Sequence, residues 1–208
     1  MKKVIFSVVL SCIGFIQSNA QVTIKPGVKA GLNISRFTNT DADSNTDFYL
    51  GGLVAIKLAK FYTLQPELLY SRQGATVKYA TYNPVYFETT FKDHKYNLDY
   101  LSVDVINKFT FGKGFQAVVG PALDFKVADN FKETGLKSPE GFDIGIIFGA
   151  GYSLPNGLTF EARFKQGFVD IFGNNYNTYY DEEGNGNADD IILNQVFQLG
   201  VSYTFDVK

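Results

Sequence analysis

The chain has 208 residues, 19 basic and 21 acidic side chains, and a composition rich in ring residues, with 20 Phe and 13 Tyr, alongside 20 Gly and no Trp. That length suits one domain or one barrel. The near-neutral charge leaves no basic stripe for nucleic acid and no field strong enough to imply a polyanionic or polycationic partner.

The first element, MKKVIFSVVLSCIGFIQSNAQ, opens with Lys2 and Lys3, runs apolar from Val4 to about Ile16, and carries small residues at Ser18 and Ala20. This pattern predicts a secretory signal peptide over 1–20 and a mature domain over 21–208. Cleavage after Ala20 would leave 17 basic against 21 acidic residues, a net of −4. A lipoprotein-type cleavage at Cys12 is the alternative, but Ile13 to Ile16 continue the apolar run and SNA before Gln21 is the better site. The mature chain then has no cysteine, so it would be exported without disulfides. No later stretch approaches the ~20 apolar residues of a transmembrane helix, whereas a transmembrane strand needs only ~9–11.

Period-two alternation then recurs eight times. Strands are expected at about 24–36, 47–59, 61–74, 96–111, 114–127, 141–154, 158–168 and 191–205. In the seventh, LTFEARFKQGF, Leu158, Phe160, Ala162 and Phe164 oppose Thr159, Glu161, Arg163 and Lys165. The fourth contains one lapse, Asn107 on the apolar side. Short turns fall near Ala59-Lys60, Gly112-Gly114 and Pro155-Gly157, and long polar segments at 37–46, 75–95, 128–140 and 172–190. All short turns therefore lie at one end and all long loops at the other, as in outer-membrane barrels. The second loop, 74–97, reads as strands three and four continuing into a hairpin with its tip at Asn83-Pro84; Tyr79, Tyr82, Tyr86 and Phe87 would either pack on neighbouring loops or meet a partner.

One parity collects the charges: Lys25, Lys29, Lys57, Glu67, Asp104, Lys108, Asp124, Lys126, Asp143, Glu161, Arg163 and Lys165. The other collects large apolar residues, among them Phe115, Phe125, Phe148, Phe160, Phe164, Phe197 and Phe205. A secreted lipocalin-like barrel would have to enclose all those rings, yet an eight-stranded interior only just accommodates ordinary side chains. The polar, Gly-rich face fits inside and the apolar face meets lipid, with every backbone group paired once the sheet closes. Tyr62 and Tyr70, Phe142 and Tyr152, and Tyr203 with Phe205 stand where interfacial girdles belong. The expected fold is all-β: an eight-stranded antiparallel up-and-down transmembrane barrel.

The last strand ends QLGVSYTF, and Gln198, Gly200, Tyr203 and Phe205 resemble the signal by which barrel-assembly machinery recognises outer-membrane clients; Asp206, Val207 and Lys208 after the final ring depart from the usual terminal Phe. GVKAGLNISRF (27–37) and LQPELLYSRQGA (64–75) resemble the Bacteroidetes-type outer-membrane β-barrel domain, the "porin family" or PorT-like group, and the resemblance spans 21–208. It implies location in the outer membrane, contact with its lipid and assembly by that machinery, and it implies little about activity.

Chemistry is sparse. His94 is the one histidine, and pairing it with Ser102 or Asp93 in a lipid-modifying hydrolase lacks anything to orient base and nucleophile. In the acidic loop 172–190, Asp181, Glu183, Asn185, Asn187 and Asp189 partly echo a calcium loop, but Ile192 stands where a bidentate acid belongs. A second fragment, Asp41, Asp43, Asn45 and Asp47, lacks the required glycine. No cofactor is expected, with Ca²⁺ at 181–190 as the alternative to a flexible acidic loop. The charges on the polar parity could line a narrow, weakly anion-selective channel, but aqueous porins need ~16–18 strands, which favours a structural network. The functional expectation is a noncatalytic barrel whose outer loops meet an unknown envelope or extracellular partner; a narrow channel is second and a hydrolase third.

Overall fold

A computed structural model describes residues 22–83, 88–131, 138–173 and 191–206, with the side chains of 79–83 and 88 left aside. The signal-peptide segment 1–20, Cys12, the hairpin tip at Pro84 and the segment 181–190 lie outside these residues. Eight strands follow one another: β1 (Thr23–Phe37), β2 (Asp43–Lys57), β3 (Tyr62–Asn83), β4 (Glu88–Phe111), β5 (Phe115–Asp129), β6 (Phe142–Ser153), β7 (Leu158–Gly167) and β8 (Asn194–Thr204). Each pairs antiparallel with the next, and β8 closes on β1.

Register fixes the barrel's shape. Following paired residues from Gly27 through Leu53, Glu67, Asp104, Ala122, Gly145 and Gly167, then across to Asn194, returns to β1 at Phe37, ten residues along. With a rise of about 3.3 Å and strands about 4.8 Å apart, that shear tilts the strands by about 40°. The interior is correspondingly narrow. Bulges interrupt the ladder between Ser44 and Tyr49 on β2 and at Val127 on β5, opposite Asp99 and Tyr100 of β4; the extra residue bends a strand locally.

The turns at one end are tight, and Gly112 sits at φ 55° between β4 and β5, a left-handed conformation that suits glycine. At the other end β3 and β4 run on together, paired from Tyr62↔Phe109 to Asn83↔Glu88. Beyond Thr76, whose partner is Asp43, β3 pairs only with β4 among the described residues. The hairpin expected in loop two is thus formed. β2 starts earlier than its alternation suggested, at Asp43, so Asp43, Asn45 and Asp47 are strand residues: Asn45 is buried in the barrel and Asp43 pairs with Lys78 at 2.6 Å. They do not form a calcium loop. β8 starts later, at Asn194, because Ile191 to Leu193 cross the barrel mouth.

The two faces separate cleanly. Outward stand Val28, Leu32, Phe125, Phe148, Phe160 and Leu199, all exposed as only lipid tolerates in such number. Ring pairs mark the short-turn end, Tyr62 with Phe109 at 5.4 Å, Phe115 with Tyr152 at 4.9 Å and Tyr203 with Phe205 at 5.2 Å; Phe48 with Tyr70 at 5.9 Å lies toward the other. The lapse at Asn107 has a local remedy. The Tyr62 hydroxyl donates to its Oδ1 at 2.7 Å, and its Nδ2 donates to the Val119 carbonyl at 3.1 Å. A polar side chain facing lipid is thereby satisfied.

Candidate functional site

The candidate site is the lumen. Nine of the twelve charges on the polar parity are buried: Lys29, Glu67, Asp104, Lys108, Asp124, Asp143, Glu161, Arg163 and Lys165. The other three lie at the ends. Lys25 pairs with Asp206 at 2.5 Å and Lys57 is exposed, both at the short-turn mouth. Lys126 sits at the loop end and pairs with Asp129 at 2.8 Å. The twelve therefore do not form one lining.

In the middle, four strands converge on one ionic cluster. The Arg163 guanidinium forks onto Glu67 with bonds of 2.9 and 2.8 Å, a planar match that a carboxylate accepts from both nitrogens. Lys29 donates to Glu67 at 3.3 Å and to Glu161 at 2.5 Å. Lys108 reaches Glu161, Arg163 also touches Glu161 at 2.7 Å, and Gln65 donates to Glu67 at 2.6 Å. Desolvated charges persist only when paired and hydrogen-bonded in this way. On the loop side Lys165 pairs with Asp124. Asp104 and Asp143 share that half, and Asp143 accepts from the Phe168 and Val169 amides.

Above the central cluster and beside the Lys165–Asp124 pair lies a layer of amides, with Gln73 donating to Asp124 at 3.4 Å. Asn33 Nδ2 donates to Ser71 Oγ at 2.9 Å and to the Arg72 carbonyl at 2.8 Å; Gln198 Nε2 donates to Asn33 Oδ1 at 3.0 Å. Gln73 donates to Ser71, and Asn194 donates to Gln73. Gln198, read as part of the assembly signal, is thus also an interior residue, whereas Tyr203 and Phe205 face outward.

Over this layer sits an apolar lid. Phe37, Ala75, Tyr96, Leu98, Tyr100, Phe131, Ile171, Phe172 and Ile192 pack together, with ring centroids 4.7 Å apart for Tyr96–Phe131 and 5.7 Å for Phe131–Phe172. Loop backbone ties it down: Ile171 N donates to the Ile192 carbonyl at 2.9 Å and Glu140 N to the Ile171 carbonyl at 2.7 Å. The expectation that 128–140 and 172–190 are simply polar loops needs correction, since Phe131 and Phe172 turn inward. Their apolar character inside otherwise polar stretches was the available signal. Ile192, the residue that spoiled the calcium pattern, belongs to this lid; Asp181, Glu183, Asn185, Asn187 and Asp189 lie outside the described residues. Apolar residues also interrupt the polar face lower down, where Ile106, Val118, Ala122 and Ile147 form a buried patch.

The hydrolase pairing fails on distance. His94 and Ser102 are eight residues apart on β4, about 26 Å at ~3.3 Å per residue. His94 stacks edge-on against Tyr96 at 4.8 Å, while Asp93 is its immediate neighbour on the strand and points to the opposite face.

A sequence model described as "outer membrane protein beta-barrel domain" matches residues 17–173. The chain belongs to this outer membrane β-barrel family. The family and the closed eight-stranded sheet together make it an outer-membrane barrel, with the short turns periplasmic and the long loops outside. Among solved structures it is similar to Neisserial surface protein A, at 11% identity and TM-score 0.49, covering 89% of this chain and 100% of that one. It is also similar to Ail, the attachment invasion locus protein of Yersinia pestis, at 11% identity and TM-score 0.42, covering 87% and 98%. No match is found among curated protein sequences. At such identities the likeness concerns the fold alone.

Proposed function

We propose that this outer-membrane barrel is a noncatalytic scaffold that holds its β3–β4 hairpin and outer loops at the cell surface for a partner or surface polymer. The observation that carries this reading is the filled lumen: an ionic cluster, an amide layer and an apolar lid succeed one another across the barrel, so the fold spends its interior on rigidity. A rigid wall supports a projecting hairpin, and Phe91 on that hairpin is 72% exposed. Outer-membrane lipid surrounds the wall, and the strand-eight pattern suits delivery by the barrel-assembly machinery. The narrower PorT-like placement rests on the 27–37 and 64–75 stretches alone.

The test is conductance of the purified, refolded chain in a planar bilayer, with heat-modifiable migration as proof of folding. A folded but silent barrel is the expected result. Stable, reproducible steps would overturn the scaffold reading in favour of the narrow channel. Replacing residues 77–95 by a tight turn should leave heat-modifiability intact, since those rungs lie beyond the wall.

A further inference from the structure

We propose that the periplasmic mouth of the barrel is a binding site for a small solute or headgroup bearing phosphate-type oxyanions. Beneath the ionic cluster the lumen opens into a blind cavity of about 280 Å³, lined by Lys25, Lys57, Lys60 and Lys108 with hydroxyls including those of Thr63 and Thr110. Among the described residues no carboxylate lines it. Its size lies just under the ~300 Å³ at which pockets for organic ligands begin, which limits the occupant to something small.

The charge around this cavity is one-sided. Its floor is the cluster in which three cations, Lys29, Lys108 and Arg163, share two carboxylates, Glu67 and Glu161. The acids that balance the lumen, Asp104, Asp124 and Asp143, lie toward the outer face, on the far side of that cluster. Lys57 ends β2 and Lys60 lies in the β2–β3 turn, and neither has a carboxylate partner among the described residues. Lys25 is already engaged by Asp206, just beyond β8. Low-dielectric walls focus such a field into the cavity, and the Thr hydroxyls and Lys ammonium groups supply donors suited to tetrahedral oxyanions. Asp206 acts as a competing internal anion at the rim.

The experiment is titration calorimetry of the refolded full barrel at low salt with pyrophosphate, using chloride as comparator. Saturable binding at one site is expected, weakened at least about tenfold in Lys57→Gln/Lys60→Gln, which removes two of the four lysines. Asp206→Asn should tighten binding by releasing Lys25, and Phe131→Ala, at the opposite end, should leave it unchanged. Both rim lysines are exposed, and heat-modifiable migration verifies that the variants fold. Nanodiscs separate the two sources of the oxyanion. If anionic phosphatidylglycerol competes with pyrophosphate and phosphatidylcholine does not, the occupant is a lipid headgroup; if neither competes, it is a soluble solute. Absence of saturable heat up to about 10 mM, a range that captures even weak sites, would overturn the proposal. So would binding that ignores the Lys57 and Lys60 substitutions, or an acidic peptide that binds where pyrophosphate does not.

Discussion

The Tyr49 side chain of β2 occupies the space that a Cβ on Gly200 of β8 would fill. It crosses Gly31 of the intervening β1 to do so, because Tyr49, Gly31 and Gly200 share one row of the ladder. Gly200 is also the glycine of the strand-eight stretch that resembles an assembly signal. Gly200→Ala should destabilise the refolded barrel by about 1–3 kcal/mol through overpacking. Trimming the ring in a Tyr49→Leu/Gly200→Ala double variant should recover most of that loss in urea unfolding. If the double variant is no more stable than Gly200→Ala, the ring contact is not what the glycine serves.

Glu67 and Asp104 are paired across β3 and β4 and equally buried, yet their surroundings differ. Glu67 accepts from Arg163, Lys29 and Gln65, whereas Asp104 Oδ1 meets no donor among the described residues. Glu67→Gln leaves cations without compensation and should cost about 3–5 kcal/mol; Asp104→Asn should change stability by no more than about 1 kcal/mol. Equilibrium unfolding in vesicles measures both. Equal losses would contradict this ordering.

The lid makes a separate prediction. Phe131 is nearly fully buried among Tyr96 and Phe172, and Phe131→Ala should cost up to about 3–5 kcal/mol, felt mainly as faster amide exchange at Ser138, Glu140 and residues 171–173. Conductance should stay silent, because the amide layer and ionic cluster still fill the lumen below. A variant that conducts after loss of this one ring would show that the lid alone seals the barrel.

Acid should loosen the same lid. Burial pushes the Asp129 carboxyl upward, but hydrogen bonds from Lys126, Ser138 and the Phe131 amide outweigh it and hold the group below its usual range. A carboxyl lowered in the folded state contributes stability that is complete above its unfolded value of about 3.9 and is lost as pH falls through the folded value. Protection of the Phe131 amide should therefore be constant from about pH 8 to 5 and fall below about pH 4, once the change in intrinsic exchange is subtracted. Asp129→Asn should remove the step. Its persistence in that variant would assign the step to another group.

Much of this was legible in the chain itself. Eight period-two segments, three tight turns at one end and a parity rule for charge are local properties, and they determined a barrel that faces its rings to lipid. They determined it because an eight-stranded interior is too narrow for the apolar set, and lipid leaves no backbone group unpaired. Strand ends were less legible. β2 begins at Asp43 because pairing with β1 and β3, rather than its own hydrophobicity, holds Asn45 in the ladder.

What only the tertiary structure decided is which side chains meet. Lys29, Glu67, Lys108, Glu161 and Arg163 come from four strands and as many as 134 positions of sequence, from Lys29 to Arg163. Alternation says that they point inward; it does not say at what height. Height follows from the ten-residue stagger accumulated around the closed sheet, to which every pair of strands contributes. The same stagger separates Lys57 at the periplasmic rim from Lys126 at the outer end, although both stand on the charged parity of the sequence. The lid, too, depends on loops folding back over a mouth whose width is known only once the barrel has closed.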